Sequence, residues 1–129
     1  VTTVHSGPAE SAHGRISLLC QRRFQLGMEV SLSQSRQAFP IVVFAHKCED
    51  NTRKIMDISE CEVTPDDKAF YHCLYRYHIR ENKYDGNRFV ISGEFEKVNP
   101  PSSYLQNLLT RSGVPQEVLS EFTGKELSA

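Results

Sequence analysis

Phe24-Gln25-Leu26-Gly27-Met28-Glu29-Val30-Ser31-Leu32 is the stretch on which the fold turns. Apolar and non-apolar residues alternate strictly through it. Successive side chains of a strand point to opposite faces, so this alternation predicts a half-buried strand. Phe24 and Met28 are also four apart, as are Leu26 and Val30, and two such rows can line one face of a helix. The alternation favours the strand. The helix remains the alternative, and the two choices lead to different architectures.

Upstream, residues 1–14 hold Ser6, Gly7, Pro8, Ser11 and Gly14 with little that packs, and are expected to form a mobile tail. Ile16-Ser17-Leu18-Leu19-Cys20 is expected as a short strand. Downstream, Ile41-Val42-Val43-Phe44-Ala45 is an unbroken apolar run, typical of a strand covered on both faces. Residues 48–51 form a turn and residues 54–63 a weakly patterned strand. Thr64-Pro65-Asp66-Asp67 is a strong turn signal. Residues 70–80 predict a long aromatic-rich strand, and residues 88–98 a strand with Phe89, Ile91, Gly93 and Phe95 on one side. Between them, Lys83-Tyr84-Asp85-Gly86-Asn87 reads as a turn in which glycine takes positive φ at low cost. Pro100-Pro101 ends the sheet, since proline has no donor for a ladder.

Ser102-Ser103 then caps a helix with Tyr104, Leu105, Leu108 and Leu109 on one face, stopped by Gly113. Pro115 opens a second helix that buries Val118, Leu119 and Phe122, and Gly124 ends it. Residues 125–129 are expected to fray. The organisation is a tail over 1–14, a β-rich core over 15–99, and a helical extension over 100–129 packed on the core.

The 129 residues suit one domain, and a net charge of −1 excludes a strongly cationic, histone-like protein. No apolar run is long enough to span a bilayer, so no membrane partner is expected. The charge is nonetheless segregated. Residues 15–54 carry seven basic and three acidic side chains, and residues 55–70 carry five acidic and one basic.

Cys20, Cys48, Cys61 and Cys73 are an even set without a Cys-x-x-Cys pair, so disulfides are favoured over zinc. The start at Val1 suggests processing, and with the cysteines it suggests a secreted protein. No Asn-x-Ser/Thr sequon supports that expectation. No nucleophile elbow, phosphate loop or dinucleotide fingerprint is present. His72 and Cys73 are strand neighbours on opposite faces, so they cannot pair. His72 and His78 lie about 20 Å apart along one strand, too far to share a metal with His46. No cofactor and no metal site is expected.

Tyr75-Arg76-Tyr77-His78-Ile79, Tyr84-Asp85-Gly86 and Arg88-Phe89-Val90-Ile91 together resemble the central sheet of the small guanyl-specific fungal ribonucleases. Cys20 followed by Phe24 and Val30, with Phe39-Pro40 before a strand, is similar to the RNase-like secreted effectors of powdery mildew fungi. The resemblance spans roughly residues 16–98. It implies a helix after Cys20, against the strand favoured by alternation, and an α+β fold with an antiparallel sheet of four to six strands and one packed helix.

The resemblance departs where catalysis would sit. The position of the carboxylate base is Arg76, the early histidine position is Ile41, and no histidine follows His78. Only the phosphate arginine has a match, Arg88. Loss of acid and base implies a pseudo-ribonuclease with no catalytic residue. Arg76, His78 and Arg88, with Tyr77 and Tyr84, are then candidates for binding phosphate or RNA. The expected protein is a secreted, monomeric virulence effector that binds RNA or a host protein such as an immune receptor. Gly113-Val114-Pro115-Gln116-Glu117 after a helix is similar to the lipocalin C-terminus, so a small-molecule carrier is one alternative. A secreted β-sandwich interaction domain is the other.

Overall fold

The computed structural model describes residues 1–124, in the order α1 (Ala9–Gln21), α2 (Met28–Ala38), β1 (Ile41–Lys47), β2 (Arg53–Val63), β3 (Ala69–Asp85), β4 (Arg88–Lys97), α3 (Ser103–Arg111) and α4 (Gln116–Thr123). The expectation of fraying at residues 125–129 lies outside the described residues. One antiparallel sheet runs β1-β2-β3-β4, each strand beside its neighbour in sequence. The class is α+β. Four strands in one open sheet, among the described residues, make neither a closed barrel nor a two-sheet sandwich.

The decisive stretch is loop and helix rather than strand. Residues 24–27 turn the chain, and α2 then runs from Met28. The i, i+4 rows do not form a helical face either, because Phe24 and Leu26 stay in the loop and only Met28, Val30 and Leu32 enter the helix. Ile16 to Cys20, expected as a strand, belongs to α1, which begins at Ala9 and so takes in much of the expected tail. The two helices meet through small side chains. Ser17 of α1 and Ser35 of α2 are both buried, with their hydroxyls 3.4 Å apart. Small residues allow close approach of the two backbones, which an alternation rule does not register.

The helices lie on both faces of one end of the sheet. Register pairs Cys61 with Tyr71, and Glu60 with His72, on opposite faces. On the Cys61 face, His13 of α1 reaches the Tyr71 hydroxyl. On the Glu60 face, the Glu60 carboxylate accepts from the Ser102 amide at 2.6 Å and its hydroxyl at 2.9 Å, fixing the start of α3. Ser102 Oγ in turn accepts from Leu105 N at 3.2 Å, so the expected cap forms. Phe122 of α4 stacks on Tyr75 at 6.4 Å on this same face. The C-terminal helices are therefore a layer of the fold rather than an appendage, and Leu105 and Leu119 belong to its core. Gly113 and Gly124 take positive φ, as their stop positions require.

Two further expectations are corrected. Ile41 to Ala45 is not covered on both faces: β1 is an edge strand, with Ile41 41% and Val43 51% exposed. The four cysteines are all free. Cys20 lies in the last turn of α1, Cys48 follows β1, and Cys61 and Cys73 sit on adjacent strands. Register sets Cys61 opposite Tyr71 and Cys73 opposite Ser59, so the two thiols do not face each other.

Candidate binding surface

β3 is 17 residues long and outruns the helical layers, so β3 and β4 project together as an arm. Its turn is tighter than the sequence suggests. Asp85 pairs with Arg88, leaving only Gly86 and Asn87 between the strands. Gly86 at φ +58° occupies the first central position, where positive φ matches the twist of the flanking strands.

Register decides the chemistry of the arm. Tyr75, Tyr77 and Ile79 stand opposite Lys97, Phe95 and Gly93, and Tyr84 opposite Phe89. One extra residue in β3, Arg80, restores the phase between these two groups, so Phe89, Ile91, Gly93 and Phe95 of unbroken β4 share one face. Tyr77 meets Phe95 edge-on at 5.4 Å, and Tyr84 lies 5.3 Å from Phe89. Gly93 has a steric task. A Cβ there would clash with the His78 carbonyl oxygen and lie 2.9 Å from Tyr77 Cζ, so the bare glycine makes room for the tyrosine ring. The stripe is largely open to solvent: Ile79 is 47%, Tyr84 66%, Phe89 46% and Phe95 51% exposed.

The opposite face carries the charges. Arg76 stands between Asp57 and Glu96. His78 Nε2 lies 2.6 Å from Glu96, and Arg80 pairs with Glu94 at 2.7 Å. Arg88 faces Asp85 at the tip. At about 3.3 Å per residue it is some 30 Å from Arg76. Of the residues singled out from sequence, Arg76 and His78 come together, but among carboxylates. Arg88 is remote. Tyr77 and Tyr84 are on the other side of the sheet. The five therefore do not share one face of the arm. Ile79, Phe89, Gly93 and Phe95 belong to the apolar surface instead. Period-two alternation in Tyr75-Arg76-Tyr77-His78-Ile79-Arg80 is the signal that separates the two sets.

A second cluster, unforeseen from sequence, joins α1, α2, β2 and β3. His13 Nε2 lies 2.8 Å from the Phe39 carbonyl oxygen, and Nδ1 lies 2.9 Å from the Tyr71 hydroxyl. The carbonyl can only accept, so Nε2 carries the proton of the neutral ring and Nδ1 accepts from Tyr71. The Tyr71 oxygen accepts in turn from Arg36 Nε at 3.4 Å. Burial pushes the His13 pKa below the ordinary histidine value, and the backbone bond to Phe39 only partly opposes it. Burial likewise raises the Tyr71 hydroxyl and the Cys61 thiol. Perturbed groups of this kind often mark active sites. Here His13 and Cys61 are fully buried, and both ring nitrogens of His13 are satisfied. The cluster clamps four elements together. Among the described residues, no three His, Cys, Asp or Glu side chains come together as a metal site.

No family model matches the chain, and no curated protein matches it.

Proposed function

We propose that this chain is a non-catalytic binding domain whose partner is another protein, engaged through the aromatic face of the β3–β4 arm. The observation that carries this is the solvent-open stripe of Ile79, Tyr84, Phe89 and Phe95. Half-exposed side chains of this size each leave on the order of 100 Å² in water, so the four together amount to roughly 400 Å². A standard interface takes ~800 Å² from each partner, with an apolar centre and a polar rim. The stripe has the size of such a centre. Obligate dimers bury more, typically over ~2,000 Å² in total, so a different protein suits the stripe better than a second copy. Tyrosine and phenylalanine lose little conformational entropy on burial, and aromatic side chains are enriched at interfaces.

The resemblance to RNase-like effectors is consistent with this reading. A helix after Cys20 and an antiparallel sheet are what it implies, and a scaffold without catalytic acid and base retains binding as its use. On that ground the partner is a host protein met after secretion. RNA is the poorer occupant, because Arg76, His78 and Arg88 lie on the other face and all three face carboxylates within the strand ladder.

The test compares two double variants in capture of partners from the same extract. Phe89→Ser/Phe95→Ser should lose a protein that the unaltered chain and Arg76→Ala/Arg88→Ala both retain. Loss in the arginine variant alone, or salt-sensitive RNA binding abolished by it, overturns the proposal.

A further inference from the structure

The α1–α2 hairpin is amphipathic in the reverse sense. Its inward side holds small or polar residues: Ala9, Ala12, His13 and Ser17 of α1, with Ser31 and Ser35 of α2, all buried. Its large apolar residues face water. Leu18 is 47%, Leu19 43%, Phe24 56%, Leu26 41%, Met28 39% and Val30 50% exposed. Arg15, Leu18, Leu19 and Arg22 fall at i, i+3, i+4 and i+7, which is one stripe of a helix, and they line a shallow recess with Gln21. The connecting loop is held by its own backbone. The Cys20 carbonyl accepts from Arg23 N at 3.1 Å and Phe24 N at 2.9 Å, and the Phe24 carbonyl accepts from Leu26 N at 2.7 Å. Phe24 is therefore presented outward by an ordered turn.

We infer that this knuckle docks on an anionic lipid surface, with Leu18, Leu19, Phe24 and Leu26 entering the headgroup boundary and Arg15, Arg22 and Arg23 meeting the phosphates. Charge selects the occupant. Three arginines border the apolar residues, and Glu29 is the one acid in the sequence from Arg15 to Val30. A second copy would set arginines against arginines across a twofold axis, because such an interface uses the same patch twice. The apolar residues crown a helix end and a turn rather than lining a deep groove, which suits insertion between headgroups more than reception of a peptide. No helix among the described residues is long and apolar enough to cross a membrane. A peripheral site needs no such span, so the inference departs from the expectation of no membrane partner, which rested only on the lack of a spanning run. The hairpin covers the sheet face opposite the aromatic stripe, so the two surfaces are independent.

The chain has no tryptophan, so Phe24→Trp supplies a single reporter at an exposed position. Vesicles of phosphatidylcholine alone, and of phosphatidylcholine mixed with phosphatidylserine, are titrated into this variant. Sedimentation and a blue shift of the tryptophan emission are expected with the mixed vesicles only, weakening as salt is raised. Arg22→Gln/Arg23→Gln should lower the affinity by roughly an order of magnitude or more, since each basic residue near an anionic surface is worth about fivefold. Circular dichroism checks that the variant is folded, and Arg15→Gln carries the same test if it is not. Failure to bind either vesicle, or equal binding to both, overturns the inference. So does a blue shift with soluble polyglutamate but not with vesicles, which would assign the knuckle to an acidic protein.

Discussion

Replacing Gly93 by alanine should damage the arm, although alanine ordinarily improves on glycine within a strand. Glycine in a strand costs roughly 0.5–1 kcal/mol relative to alanine, so an open site would gain by the change. Gly93 is not an open site. The added carbon would collide with the His78 carbonyl oxygen, which is backbone and cannot swing away, and would sit 2.9 Å from both the His78 carbonyl carbon and Tyr77 Cζ. The Ile79–Gly93 pair must then separate, and the Tyr77 ring must leave Phe95. Overpacking of this kind costs about 1–3 kcal/mol and exceeds the entropic gain. Gly14 supplies the internal control. It lies inside α1, and nothing comes within 4 Å of a carbon added there. Gly14→Ala should stabilise by up to ~1 kcal/mol. The assay is urea denaturation of both variants beside the parent. Gly93→Ala should lower the midpoint and Gly14→Ala should raise it. A Gly93→Ala midpoint equal to or above the parent's would refute the close approach and, with it, the β3–β4 register.

Acid should loosen the clamp at His13. The folded state holds this ring neutral, with its pKa below the unfolded value of about 6.5, so its contribution is intact above that pH and is lost as the pH falls below it. Denaturation midpoints should drop from neutral pH towards pH ~5, and His13→Gln should flatten that slope; an unchanged slope in the variant would remove His13 from the account. Glu60→Ala should cost about 1–3 kcal/mol by orphaning the Ser102 amide, and Ser102→Ala about 1 kcal/mol. Because both act through one contact, the double variant should cost less than the sum, and additive losses would dissolve the clasp.

What was legible in the sequence followed local chemistry. Pro100-Pro101, Ser102, Gly113 and Gly124 marked the C-terminal helices because caps and stops are set by the residues that make them. Asp85-Gly86 marked the hairpin for the same reason, though the strands run closer to it than the turn residues suggest. The segment around Phe24 misled because its alternation arises from an exposed loop and the outer side of α2, with serines turned inward. Alternation reports burial only when apolar residues are the buried ones. Ile41 to Ala45 misled likewise, as an apolar run at an uncovered edge. The arm illustrates the reverse case. Arg76, Tyr77 and His78 are neighbours in sequence, and grouping them as one site ignored the period of two that puts Tyr77 on the other face.

The account rests on that sorting of aromatic and charged side chains to opposite faces of the arm. Nuclear Overhauser contacts between aromatic protons of β3 and β4 measure it directly. Contacts from Tyr77 to Phe95 and from Tyr84 to Phe89 are predicted. A pattern slipped by one residue, with Tyr77 against Glu94 or Glu96, would turn the aromatic residues onto the charged face and contradict it.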